Sequence, residues 1–204
     1  MSRQSSRRKR RHRGATGDSI RLFVGIYPPQ DVAESLLAAL DRVDVDPDSY
    51  RVTRMEQLHM TVHFIGQTAP RKVEDVLESL HRAKKGLSGF HLQVEHLLTL
   101  PEAGPPPRLI AAETDSPGQL RELQSRLARR FARSSRARPG NRFRPHLTLC
   151  RFRPAARVTD VDRFERALDG LPAFDVKSIR LMKSVLHPKG ARHEVVAELP
   201  MVMK

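Results

Sequence analysis

Two histidines carry the chemical interest of this 204-residue sequence. Each is followed two positions later by a threonine, and the surroundings match: Leu58-His59-Met60-Thr61-Val62 recurs 87 residues later as Pro145-His146-Leu147-Thr148-Leu149. On a strand, side chains at i and i+2 share a face, so His59 projects with Thr61 and His146 with Thr148. Met60, Val62 and Phe64, like Leu147 and Leu149, then supply the opposite, core-facing side. Two such units facing each other would hold a phosphate between two imidazoles. In-line opening of a cyclic phosphodiester needs a base to activate water on one side of phosphorus and an acid to protonate the departing oxygen on the other. An unperturbed pKa of ~6.5 lets histidine serve either role. The threonine hydroxyls can donate to the non-bridging oxygens as charge builds in the transition state, and this chemistry requires no metal. A lone His-x-Thr is common by chance. The repeat, on two strands with apolar backing in equivalent halves, is what gives the pattern weight.

The elements that must position these residues follow from hydrophobic periodicity. The run Ile20–Ile26 predicts a strand, and Asp31–Val43, with Val32, Leu36, Leu37 and Leu40 at helical spacing, a helix. His59–Ile65 predicts a strand ended by Gly66, followed by a helix over 70–85. Phe90–Leu100 and Leu109–Thr114 predict a hairpin with a proline-rich tip. The theme then repeats: a helix over 119–134, an arginine-rich loop, a strand His146–Phe152 and a helix over 160–168. Val176–Leu186 and Glu194–Leu199 should pair across the turn His187–Gly190. Mixed helices and strands with two similar halves predict an α+β fold: bilobal, pseudo-symmetric, with mainly antiparallel sheets facing a central cleft and helices outside.

A formal charge of +14 points to a polyanionic partner. Residues 1–18 hold seven cations against Asp18, a net of +6, which leaves +8 for the remainder. That head has no apolar periodicity and is expected to be a disordered basic tail ahead of one domain over 19–204. The single cysteine, Cys150, excludes an intrachain disulfide and a multi-cysteine zinc site, and its apolar strand predicts a buried thiol. No segment approaches the ~18 apolar residues of a membrane span. The expectation is a cytoplasmic monomer with no membrane association.

The paired motif resembles the signature of the 2H phosphoesterase superfamily, and the chain from about Ile20 onward is similar to its RNA 2',3'-cyclic phosphodiesterase branch of bacteria and archaea, formerly called 2'-5' RNA ligases. The resemblance rests on Arg21-Leu22-Phe23-Val24, the run Leu58–Gly66, the run Phe143–Leu149, Ser184-Val185-Leu186 and Gly190-Ala191-Arg192. It implies hydrolysis of the terminal 2',3'-cyclic phosphate of RNA to a 2'-phosphate without a cofactor and, in some members, reversible ATP-independent 2'-5' joining. It implies His59 as proton donor to the leaving O3', His146 as proton acceptor, Thr61 and Thr148 as phosphate-binding hydroxyls, and Phe143 as an aromatic that stacks on a base. Arg151 is a further phosphate-binding candidate, because a basic residue follows the second motif in relatives and a guanidinium fork suits phosphate oxygens. Strict alternation, however, places Arg151 on the face of Leu147 and Leu149, so it reaches the groove only through a twist or bulge.

The sequence departs from the family at His63, where lysine is frequent, and at His193, where tyrosine is common. His63 falls on the predicted face of His59 and is a substrate-binding candidate. A zinc site using His59 and His63 is disfavoured, since position 60 is Met, the run reads as a strand and no further ligand lies nearby. Two alternatives stay open: a basic RNA-binding module without chemistry, and a related phosphodiesterase acting on 2'-5' oligonucleotides or a small cyclic phosphate.

Overall fold

The structure, a computed structural model, describes residues 19–132, 143–153, 165–185 and 191–203. Strand β1 (Ile20–Ile26) leads through Pro28-Pro29 into helix α1 (Gln30–Ala38), which tightens into a 3-10 turn at Ala39–Arg42. Two prolines suit this entry, because their fixed φ ends the strand and Pro29 offers its carbonyl to the amide of Ala33. A short strand β2 (Tyr50–Val52) precedes β3 (Met60–Thr68), and a 3-10 turn opens α2 (Val73–Lys84). The hairpin of β4 (Phe90–Leu100) and β5 (Leu109–Thr114) is followed by α3 (Gly118–Arg130) and β6 (His146–Phe152). The chain closes with β7 (Glu165–Arg166), β8 (Ala173–Val176), β9 (Ser178–Val185) and β10 (Arg192–Pro200).

Every strand pairing is antiparallel, in the order β10-β9-β1-β3-β6-β5-β4-β7, with β2 added to β6 and β8 to β4. Outward from the centre, the first half reads β3-β1-β9-β10 and the second β6-β5-β4-β7. Among the described residues, the central strands β3 and β6 pair at Met60 with Leu147. These two residues are counterparts in the sequence repeat. A residue paired with its own counterpart is what a twofold axis through the seam produces, so the fold is α+β with two pseudo-symmetric halves.

The helices cover one face. Val32, Ala33 and Leu36 of α1, Val76, Leu80 and Ala83 of α2, and Leu120, Leu123 and Leu127 of α3 are buried at the three-to-four spacing of an amphipathic helix. They join Leu22, Val24, Met60, Leu147 and Leu149 in one continuous core. Met60 and Leu147 are both fully buried beneath the seam. Leu147→Ala is therefore expected to lower the unfolding free energy by about 2–5 kcal/mol, read by urea denaturation. A change within about 0.5 kcal/mol, the range of ordinary surface substitutions, would show that the seam carries no packing.

Several boundaries differ from expectation. The helix expected over 160–168 is not present in its described part: Glu165 and Arg166 form β7, paired with Leu98 and Leu97, and residues 160–164 lie outside the described residues. A helical spacing of apolar residues there yields to pairing with the open edge of β4. The strand expected from Val176 to Leu186 is two: β8 ends at Val176 on β4, and β9 begins at Ser178 on β1 and β10. β3 continues through Gly66, whose φ of 88° the strand accommodates because glycine lacks Cβ. The basic tail, the arginine-rich loop and the turn at 187–190 lie outside the described residues.

Candidate active site

The antiparallel pairing of Met60 with Leu147 places His59 across from Thr148 and Thr61 across from His146 in register. Each histidine thus faces the other motif's hydroxyl on the side of the sheet away from the helices. His59, Thr61, His146 and Thr148 are all half-buried there.

Both motif strands then break their alternation at equivalent points. On β3, Thr61 pairs with Gly25 and His63 with Val24, so Val62 is an extra residue. On β6, Thr148 pairs with Ala111 and Cys150 with Ile110, so Leu149 is extra. In such a bulge two consecutive side chains oppose one, and the alternation resumes inverted. Leu149 and Cys150 are accordingly both buried on the core side, and Arg151 returns exposed to the histidine side. The positive charge of Arg151 acts on His59, His146 and His193 alike. The bulge backbone on β6 is held by Thr53, whose amide donates to the Leu149 carbonyl at 2.8 Å and whose hydroxyl donates to the Thr148 carbonyl at 2.8 Å.

The same inversion on β3 corrects two expectations. His63 sits opposite core-facing Val24 and stacks on Phe131, just past α3, with ring centroids 5.9 Å apart. It lies away from His59, and the two cannot share an ion. Phe64, expected in the core, is 69% exposed; it pairs with Phe23 on the site side, ring to ring at 6.2 Å. Phe64 is the counterpart of Arg151, so the histidine side of the sheet presents a cation from one half and an aromatic face from the other. Phe143 is half-buried against the core, three residues before His146. The rings around His59 are Phe23 at 5.0 Å, Tyr27 stacked at 5.3 Å and His193 edge-on at 4.9 Å. Sequence spacing gave no sign that His193 belongs to the site; only its position in the family resemblance drew attention to it.

The imidazoles are oriented alike. His59 Nδ1 bonds the carbonyl of Gln57 at 2.7 Å and His146 Nδ1 the carbonyl of Arg144 at 2.8 Å, in each case two residues earlier. A carbonyl only accepts, so Nδ1 carries a proton in both rings and Nε2 is the nitrogen left for chemistry. His59 Nε2 lies 3.1 Å from Thr61 Oγ1. Burial lowers the His59 pKa to about 4, with the charges of His193, Arg151 and His146 adding to the effect and the Gln57 carbonyl opposing it. His146 and His193 are lowered too, chiefly by burial. The unprotonated folded chain is thereby favoured in acid solution over a protonated one, while the unfolded chain takes up protons from its ordinary value of 6.5 downward. Stability is therefore complete above about pH 6.5 and falls towards pH 4, by about 3 kcal/mol from His59 alone. Urea titrations on either side of that window check this, and equal midpoints would contradict it.

A cleft of about 380 Å³ lined by Arg82, Arg126, Arg129 and Arg130 lies elsewhere, on α2 and α3. Arg82 pairs with Glu78, Arg126 and Arg129 with Glu122, and Arg126 also donates to the carbonyls of Ala83 and Lys85 at the end of α2. These contacts make it a helix-terminating cluster. Among the described residues no helix is long and apolar enough to cross a membrane.

The chain is similar in sequence and fold to known proteins. The sequence model of the 2'-5' RNA ligase superfamily matches residues 28–187. An RNA 2',3'-cyclic phosphodiesterase of Thermus thermophilus is 28% identical over 183 residues, covering 87% of this chain and 88% of that protein. One of Aquifex aeolicus is 25% identical, covering 88% and 96%. Among solved structures, TT0787 of Thermus thermophilus superposes with a TM-score of 0.71 at 26% identity over 90% of this chain and 99% of that one. E. coli LigT complexed with ATP gives 0.72 at 19% identity, over 91% and 100%, a likeness of fold.

Proposed function

We propose the following activity for this chain, which belongs to the 2'-5' RNA ligase superfamily: hydrolysis of the terminal 2',3'-cyclic phosphate of RNA to a 2'-phosphate by acid/base catalysis between His59 and His146. The observation that carries it is the Met60–Leu147 pairing, which sets two imidazoles, each with Nε2 available, and two hydroxyls around one groove. The phosphodiesterases to which the chain is similar support the substrate class.

In this reading, neutral His146 accepts a proton from water through Nε2 as the oxygen attacks phosphorus. Protonated His59 gives its Nε2 proton to O3' as the P–O3' bond breaks, and the product keeps phosphate on O2'. Thr61, Thr148 and Arg151 neutralise the charge on the non-bridging oxygens. His59 must be protonated although burial holds its pKa down. The anionic phosphate supplies the compensating charge on arrival, so the donor is charged in the complex more than in the free protein. A 5'-hydroxyl in the place of water would join ends through a 2'-5' bond by the same steps. Phe143 and the exposed ring of Phe64 are the aromatic surfaces for bases. His63 has no part in this arrangement.

The test is product analysis on an oligonucleotide ending in a 2',3'-cyclic phosphate, with EDTA present. A 2'-phosphate product supports the reading. A 3'-phosphate product would reverse the assignment of leaving group, and RNA binding without ring opening would leave a binding module.

A further inference from the structure

Gln57 and Arg144 occupy twofold-related positions, each two residues before its histidine and each lending its carbonyl to that histidine's Nδ1. Both side chains are anchored at the far end. Gln57 Nε2 donates to the carbonyl of Ala191, beside the start of β10, at 3.1 Å. The Arg144 guanidinium forks onto Glu113, with Nε on Oε1 and Nη2 on Oε2 at 2.6 Å, and its Nη1 meets Glu102 at 2.5 Å. Glu113 is the cross-strand partner of His146 on β5 and is only 13% exposed, and His96 Nε2 lies 2.7 Å from its carboxylate.

We propose that Gln57 and Arg144 are positioning residues, whose anchored side chains clamp the carbonyl that fixes the Nδ1–H tautomer and ring direction of His59 and His146 respectively. This rests on the two-histidine reading above. A histidine free to exchange tautomers turns a proton where a lone pair is needed, or a C–H where a donor is needed. Partners that fix the tautomer of a metal-ligating imidazole typically cost about 10–100-fold when removed, and the same orienting role sets the scale here.

The two clamps differ in charge as the two roles require. The charged groups facing His59 are His193 on β10, Arg151 on β6 and His146, all cationic or able to become so, while the stacked Tyr27 stays neutral because burial raises its pKa to about 12. A further cation at position 57 would oppose an imidazolium donor, and a neutral amide does not. His146 faces Glu113 on β5 together with Arg144 and Arg151. Burial, with the guanidiniums adding to it, keeps His146 neutral before reaction, and the carboxylate favours the imidazolium formed when it accepts the proton.

The experiment is kcat and KM against pH for Gln57→Ala, Arg144→Ala, Arg144→Lys and Glu113→Gln, using a 2',3'-cyclic mononucleotide, with His59→Ala and His146→Ala alongside. Arg144→Ala and Glu113→Gln are expected to lower kcat about 10–100-fold with KM little changed, and to move the limb of the profile set by the acceptor. Lysine at 144, a charge without a fork, should not rescue. Gln57→Ala should move the opposite limb. Urea midpoints for all variants separate this from misfolding: loss of activity in proportion to unfolded protein, with both limbs in place, overturns the inference. So do wild-type profiles in the clamp variants when both histidine variants are inactive. Wild-type activity in a histidine variant instead overturns the two-histidine reading itself.

Discussion

His146→Ala and His59→Ala should each reduce kcat for opening a 2',3'-cyclic phosphate by about 10²–10⁴-fold, the range for a positioned acid or base. The double variant should lose little more than either single one. Both proton transfers belong to one displacement, so removing one partner already spoils the transition state, and effects within such a unit do not add. Affinity for a non-reacting phosphate should change far less, because Arg151 and the two threonines remain. Steady-state kinetics together with binding of a 2'-phosphate product separates these quantities. A histidine variant that keeps wild-type kcat would exclude that residue as donor or acceptor. The profile of the unaltered protein should be bell-shaped, and each single variant should lose one of its two limbs.

The second large effect is expected at Arg151. Its guanidinium is the cation that the β6 bulge returns to the histidine side, and its charge reaches all three imidazoles. Arg151→Ala should lower kcat/KM about 10–100-fold, corresponding to one charge-assisted hydrogen bond of about 1.5–3 kcal/mol. Arg151→Lys should recover only part, since an ammonium keeps the charge and loses the fork. Removing the cation also lets His59 and His146 hold protons more readily, so the activity that remains should shift its optimum to higher pH. An unchanged kcat/KM with an unchanged optimum would place Arg151 outside the reaction.

The four motif residues were legible because period-two spacing, repetition and apolar backing agree on one face. Arg151 and Phe64 were not, and for the same reason. Their side is decided by bulges at Leu149 and Val62, and a bulge depends on the register of the partner strands β5 and β1. Nothing in Thr148-Leu149-Cys150-Arg151 itself announces it, although two consecutive apolar residues before a charge are compatible with it. Applied uniformly, alternation sent Phe64 inward and His63 into the groove, and the structure exchanges them. The helical spacing within 160–168 is genuine, but the open edge of β4 is a stronger determinant for Glu165 and Arg166. β2, three residues long, carries too few positions to show any period. His193 enters the site from β10, more than 130 residues from His59, a proximity that no local pattern encodes.

The first half of the sheet is built from both ends of the chain: β1 and β3 come early, while β9 and β10 come last and cover β1. The second half is assembled from β4, β5 and β6, which are closer in sequence, with the short β7 and β8 added to β4. During synthesis the His146 side can therefore organise on more local contacts, whereas the His59 side must wait for residues 178–200 before Phe23 is covered, His193 reaches His59 and Ala191 receives Gln57. A chain cut before β9 carries both histidines yet lacks His193 beside the first and the Ala191 carbonyl that anchors Gln57. The surroundings of His59 are thus completed by segments far from it in sequence, whereas those of His146 are mostly local.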